Sequence, residues 1–494
     1  MRLTNRSDVL TGRFFPGVAV AACLIVSACG GSRPEPLARA EPARGDLRSD
    51  PFLDTLQAKT FDFFWDLTDH ETGLTPDRAP GLIFSSIAAV GFALPAYGIG
   101  AEHEYVERTQ AAERTLNTLR YFWELPQGTD SVSVSGYRGF FYHFLHFENG
   151  LRYRNTELST IDTALLIAGV LFAQEYFDRD DPTESAIRAY ADSLYLRIEW
   201  DWFRHEPPLL TMGWHPEKGR AFNGSIWRGY NEGMILYILG LGSPTHPIEP
   251  EAWEAWTSTY EWSDFYGYEH VNFTPLFGHQ YSQAFIDFRG IQDAYMREKG
   301  IDYFENSVRA TLSQRSYAQD NPGGWKDYGG EIWGLTACDG PGAVVETPDG
   351  EVRFRGYWAR GASNRHINDD GTIAPTAAGG SIPFAPVETI AALKAMKQRY
   401  GEPLFSTYGF LDSFNPTFTF TDAELRHGQV VDGAGWFDTD YLGIDQGPII
   451  IMAENYRTGL VWETMKKSKY IVRGLERAGF TGGWLDEKEM MSNE

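Results

Sequence analysis

Stretches of helical periodicity recur along this chain, and the one that most restricts the fold is RGYNEGMILYILGLGSPTHP, residues 228–247. Met234, Leu236, Tyr237, Leu239 and Leu241 spread apolar side chains most of the way round a helix, a pattern that suits only an enclosed position. Helices are expected at 52–68, 84–98, 104–124, 159–178, 183–203, 230–241, 250–260, 279–298, 302–319, 385–400, 421–427, 447–465 and 467–478. Strand-like alternation is scarce. Its best example is SVSVSGYRGFFYHFLHF, which the turn residues ENG join to LRYR as a minor β-hairpin. Helices with long intervening loops and no exact repeat predict an all-α chain packed in pairs around a centre. Glu232 stands at the entry to the most apolar of these helices. A charge there has to be paired, protonated or used, unless it is simply a first-turn glutamate favoured by the helix dipole and free N–H groups.

The chain opens MRLTNRSDVLTGRFFPGVAVAACLIVSACGG, with Arg2, Arg6 and Arg13 ahead of an apolar run from Val18 to Val26 that ends on Val26-Ser27-Ala28-Cys29. The run is too short to span a membrane and closes on small residues, so residues 1–28 are expected to be a signal peptide. The four residues at its end resemble a bacterial lipobox, which implies acylation of Cys29, and Gly30 behind it implies sorting to the outer membrane. Residues 29–50, with Pro34, Pro36 and Pro42, read as a tether. Residues 51–480 show no linker or shift in composition and are expected to form one domain, with 481–494 a C-terminal tail. Apart from Cys23 and Cys29 the only cysteine is Cys338, so no internal disulfide is available and a packed core has to hold the fold.

A formal charge of −24 argues against nucleic acid and anionic headgroups as partners and leaves the lipid anchor as the expected membrane contact. With 15 Trp and 25 Tyr, the chain is rich in side chains that stack on sugar rings while their polar tips bond hydroxyls. Phosphate-loop, HExxH and CxxC motifs are missing, and the Gly-flanked Ser225 and Ser381 lack a nucleophile elbow. His143, His146, His215, His246, His279 and His366 lie in separate segments, so no metal or other cofactor is expected. What remains is a set of acids among aromatic, glycine and amide neighbours: Glu157, Asp162, Glu232, Asp287, Asp339, Asp369, Asp370 and Asp445. Carboxylates with aromatics are the equipment for breaking a glycosidic bond. Asp287 with Arg289 also reads as a structural ion pair, and Asp162 as a first-turn residue behind Ser159 or Thr160. Tyr230 and Asn231 flank Glu232 and are candidate substrate contacts. Trp333, Trp358 and Trp436 are candidate stacking platforms, though each could equally fill a core.

The segments GYNEGMILYILGLGSPTHPI, PLFGHQYSQAFIDFRGIQDAYMREKGIDYFENSVRATLSQRSYA, WGLTACDGPG, DDGTIAPTAAGGSIPFAP, YGFLDSFNP and YLGIDQGPIIIMAENYRTGLVW resemble the glycoamylase-like family, which includes the endo-β-1,2-glucanases of glycoside hydrolase family 144. The likeness runs from Phe52 to about Gly479, with VVETPDGEVRFRGYWARGAS (344–363) unmatched. It implies an (α/α)6 toroid and an inverting hydrolase of β-1,2-linked glucose; a monomer without a cofactor is expected. By the same resemblance Glu232 is the general acid, Asp445 the general base, and Glu157 and Asp162 support or bind substrate. Burial beside aromatic neighbours would keep Glu232 protonated for this role. Two other readings stay open: a lipoprotein that captures glycans without cutting them, and a transglycosylase or chain-end-acting relative.

Overall fold

The computed structural model describes residues 46–204, 207–217, 219, 221–347 and 350–492. The expected signal peptide, Cys29 and the tether up to residue 45 lie outside these residues. The last part of the expected tether is structured. Leu47–Ser49 form a 3-10 turn behind Asp46, and Asp50 caps the first long helix by accepting from the Phe52 N–H at 3.0 Å.

Sixteen α-helices form among the described residues, and six of them make an inner ring: α2 (Ile87–Glu102), α4 (Thr160–Tyr176), α6 (Met234–Gly242), α8 (Phe277–Phe285), α11 (Pro375–Gly379) and α13 (Gly443–Arg457). Contacts pass from α2 to α4, α6, α8, α13 and back to α2, with α11 packed on α13, so the ring closes. Outside it, α1 (Pro51–Leu67) packs on α13 and α2, while α3 (Arg108–Glu124) and α5 (Pro182–Leu196) pack on each other and on α2 and α4. Helix α10 (Tyr303–Asp320) lies on α8, α12 (Pro386–Tyr400) on α11 and α15 (Lys469–Arg477) on α6. The short α7 (Glu251–Thr257), α9 (Ala294–Lys299), α14 (Leu460–Met465) and α16 (Gly483–Ser492) complete the set. The result is the (α/α)6 toroid, with small strand pairs added.

The division between layers follows composition. Helices α2, α4 and α6 are apolar all round and buried nearly all round, whereas α3 and α5 bury one face. Helices α2 and α4 approach backbone to backbone where two glycines meet. A Cβ on Gly91 would lie 2.3 Å from the Leu165 carbonyl oxygen, and one on Gly169 would lie 2.0 Å from that of Gly91.

The inner helices present their N-terminal ends, with antiparallel strand pairs, around one mouth. Arg78–Ala79 pairs with Tyr441–Leu442, Phe84–Ser86 with Phe144–His146, and Leu158–Ser159 with Gly213–Trp214. The expected hairpin is therefore shorter than its sequence. Gly136–Tyr137 does pair with Phe140–Phe141, but the next strand leaves for Phe84–Ser86, and only the bridge between Leu145 and Arg152 spans the ENG turn.

Several helix boundaries differ from expectation for local reasons. The 279–298 stretch is two helices, because Asp287 turns the chain by accepting from the Arg289 N–H and Gly290 takes φ +75°. The 447–465 stretch begins at Gly443 and breaks at Gly459, where φ is +79°. Residues 421–427 form turns, not a helix. The expected 481–494 tail contains α16, whose Trp484 indole N–H donates to the Asp287 carbonyl at 2.9 Å and whose Leu485 is buried.

Candidate active site

Helix α6 begins at Met234, so Glu232 lies two residues outside it, in a turn built by its neighbours. Asn231 accepts from the Gly233 N–H (2.9 Å) and donates to the carbonyls of Arg228 (3.0 Å) and Gly229 (3.1 Å). Tyr230 is buried, stacked at 5.9 Å on Tyr303 and 4.9 Å from the His279 ring. These two residues lock the turn and do not face substrate, which corrects their expected role: the backbone and the core use up their polar and aromatic surfaces. Ser282 on α8 donates to the Glu232 carbonyl (3.1 Å) and receives the Ile235 N–H (3.0 Å), fixing the turn from the other side. The Glu232 carboxyl has a buried oxygen, Oε2, without a partner. Burial raises its pKa to about 7; Glu232's own backbone N–H opposes this shift and the charge of Asp162 adds to it.

Asp162 stands in the first turn of α4, capped by Ser159, whose hydroxyl donates to its Oδ2 at 2.5 Å. His143 lies between two acids, 2.8 Å from Glu157 and 3.5 Å from Asp162. Burial opposes the imidazolium, but the charge of Asp162 and the contact with Glu157 overcome it and raise the His143 pKa to about 9. Burial likewise opposes ionisation of Glu157, yet the His143 hydrogen bond brings it down to about 2. The raised histidine contributes stability that is full below about 6.5, its usual value, and is lost as pH rises through 9. The depressed glutamate contributes stability present above about 4.5 and lost as pH falls through 2. The melting-temperature gap between the wild type and His143→Gln should therefore be widest between about pH 4.5 and 6.5 and close on both sides. A gap that stays constant from pH 4 to 10 would show that the imidazole carries no charge.

Across the mouth, Asp445 occupies the first turn of α13 over a floor of buried acids. One oxygen each from Asp339, Asp412 and Asp438 lie within 4.8 Å of one another. Arg78 is the cation among them, 2.9 Å from Asp339, 3.2 Å from Asp440 and 3.2 Å from Asp77. It reaches them because the strand it sits on pairs with Tyr441–Leu442, immediately ahead of α13. Burial raises the pKa of Asp445, and Asp339, Asp77 and Asp438 add to this against the hydrogen bond from Asp412. Beside the floor is a cavity of about 450 Å³ bordered by Ala79, Tyr408, Asp438 and Tyr441.

Two further tyrosines belong to the site, Tyr281 acting on both the acid and the base side and Tyr357 on the base side, and neither was singled out from the sequence. Tyr281 on α8 is buried, and its hydroxyl feels the charges of Asp445, Glu232 and Asp162, which together with burial push its pKa well up. Tyr357 comes from the unmatched segment 344–363 and stays 56% exposed, with its hydroxyl within reach of the Asp445, Asp412 and Asp77 charges. Its loop is pinned by Arg360, which donates to both oxygens of Asp370 at 2.7 and 2.9 Å and to the Cys338 carbonyl at 2.7 Å. A pattern search for acids could not find either tyrosine. A search for hydroxyl-tipped aromatics in the unassigned loops would have included Tyr357.

Other expected contacts lie elsewhere. Trp333 and Trp436 are fully enclosed, and the Trp436 indole N–H donates to the His427 carbonyl at 2.8 Å. Both fill cores, so no ring face is open to a sugar. The Trp358 ring has the Arg355 and Arg360 guanidinium groups at 5.4 and 5.8 Å. Asp287 follows the C-terminal end of α8, away from the mouth, tied to Arg289 (2.7 Å) and Lys466 (2.9 Å), and is an ion pair, not a substrate contact. Asp369 accepts from the hydroxyls of Tyr317 and Tyr328, both at 2.8 Å, and is structural too. Asp339 is in the floor, with its own amide donating to Asp412 at 2.7 Å.

Fold and site together define an (α/α)6 toroid whose inner-helix N-termini surround an acid- and tyrosine-lined mouth. Residues 225–469 match the Glycoamylase family model, described as "Putative glucoamylase". The fold matches a solved structure from Bacteroides uniformis, provisionally assigned as a glucoamylase, at 33% identity over 88% of this chain and 98% of that one, with a TM-score of 0.73. It matches the endo-β-1,2-glucanase of Chitinophaga pinensis, solved with sophorotriose and glucose, at 28% identity over 88% and 98% of the two chains, TM-score 0.74. A curated relative, the exo β-1,2-glucooligosaccharide sophorohydrolase (non-reducing end) of Parabacteroides distasonis, is 26% identical over 465 residues. That match takes in 87% of this chain and 58% of the relative. The chain belongs to the glycoamylase-like family.

Proposed function

We propose that the protein is an inverting glycoside hydrolase of β-1,2-linked gluco-oligosaccharides or glucan, with Glu232 as general acid and Asp445 as general base. The observation that carries this reading is a pair of buried carboxyls at the N-terminal ends of two inner helices, Glu232 before α6 and Asp445 in the first turn of α13, each raised by burial and both acting on the Tyr281 hydroxyl. In the step itself, the protonated Glu232 gives its proton to the departing glycosidic oxygen as the C1–O bond breaks. Water attacks C1 from the opposite face and loses its proton to Asp445, which leaves an α product. Such a single displacement needs carboxyls about 6.5–9.5 Å apart, with room for the water between them. Glu157, Asp162, His143 and Tyr357 line the same mouth and are the proposed sugar contacts. The C. pinensis and P. distasonis relatives supply the substrate class, a chain of β-1,2-linked glucose.

A second reading, release of disaccharide from chain ends, is favoured by the name of the P. distasonis relative. Incubation with linear β-1,2-glucan separates the two. Internal cutting should give a falling ladder of intermediate oligosaccharides, whereas chain-end action should give sophorose from the first minutes. Binding without any product would leave a glycan-capturing protein. We also propose that Cys29 carries the lipid anchor of an exported, outer-membrane form, which fatty-acid labelling of the wild type against Cys29→Ala tests.

A further inference from the structure

Asp412 has no role in the chemistry above, yet it is 1% exposed and its carboxyl is within hydrogen-bonding reach of that of Asp445. Two ionised carboxylates are acceptors only, so such a bond needs a proton on one of them. The partners show where it sits. Asp412 Oδ2 accepts the Asp339 N–H at 2.7 Å, whereas Asp412 Oδ1 and Asp445 Oδ2 are buried without any donor. Those two oxygens are the ones a shared proton would join.

We propose that Asp412 is a positioning residue for Asp445, carrying on Oδ1 the one proton of the pair and donating it to Asp445 Oδ2, so that Asp445 holds a fixed orientation and keeps Oδ1 for the attacking water. This rests on Asp445 being the base. The surroundings favour a proton over a second charge. Asp77, Asp339, Asp438 and Asp440 crowd the same floor, with Arg78 among them and His427 3.8 Å from Asp339. Tyr281 and Cys338 face the pair as neutral groups held well above their usual pKa values by burial, and the half-exposed Tyr357 is kept neutral by the charges of Asp445, Asp412 and Asp77. Burial and the charges of Asp445 and Asp339 push Asp412 well up. Of the two, it is Asp412 that keeps the proton.

Rate-against-pH profiles on β-1,2-glucan test the assignment. An Asn at 412 can still accept from Asp339 N–H and donate to Asp445, so Asp412→Asn should hold the acid limb near its wild-type position and recover about tenfold or more of the activity lost in Asp412→Ala. Asp412→Ala, which lacks the donor, should move that limb to higher pH. If Asp412 were ionised, both substitutions would remove a repelling charge and move the limb to lower pH, which overturns the proposal. Melting curves from pH 4 to 9 need no substrate and so separate failure of the pair from failure of the hydrolase reading. A raised carboxyl contributes stability that is full below about 3.8 and is lost as pH rises through its folded value. Wild-type stability should therefore fall relative to Asp412→Asn as pH rises. Parallel curves, or a melting temperature that climbs with added calcium and so reports a cation in place of the proton, would refute the pairing.

Discussion

Glu232→Gln is expected to lower kcat on β-1,2-glucan by about 10²–10⁴-fold while oligosaccharide affinity stays near that of the wild type. Gln fills the same space and keeps hydrogen-bonding capacity, so the loss falls on proton transfer in the transition state and not on ground-state binding. With its pKa raised to about 7, Glu232 holds its proton below that value. Wild-type activity should therefore decline on the alkaline side as pH passes through about 7, and this limb should vanish in the variant. The defect should be smallest for a synthetic substrate whose leaving group needs no proton. Full activity in Glu232→Gln would reduce the turn before α6 to a structural feature.

Asp445→Asn should cost a comparable factor with KM nearly unchanged, because the amide cannot take a proton from water. Its effect is separable from that of Glu232 by the leaving group: activated substrates should not rescue it, since the attack and not the departure is impaired. For the wild type, proton NMR in the first minutes of digestion should show α-anomer products before mutarotation, as one displacement inverts a β bond. Initial β-anomer would mean two displacements and a covalent intermediate, and Asp445 would then be a nucleophile or a bystander.

Most of the inner helices were legible because burial on all sides leaves a local mark: MILYILGLG is apolar round its full circumference, and Ser159 ahead of Asp162 marks a helix start within four residues, whereas the five-residue α11 was too short to leave one. Glu232 was conspicuous for the same reason, as a lone carboxylate against such a run. The likeness of whole motifs to a known family then carried the toroid, which periodicity alone could not supply, and it is also the source of the proposed acid and base positions. Tyr230 and Asn231 misled because adjacency in sequence looked like adjacency to substrate. In the fold a turn sends one side chain into the core at Tyr303 and folds the other onto its own backbone.

Whether an aromatic faces a cleft or a core depends on what packs over it. Trp333, Trp358 and Trp436 therefore looked alike in sequence and differ in space. The acid floor is decided at longer range still. Arg78 meets Asp440, and Asp77 comes within reach of the Asp445 charge, more than 330 residues away, only because Arg78–Ala79 pairs with Tyr441–Leu442 as the ring of helices closes. Local composition settles where most of the long helices lie, since helix periodicity and capping act within a few residues. The protonation of Glu232 and Asp412 comes from burial and from charges brought together by closure of the toroid, and those exist only once the chain is folded.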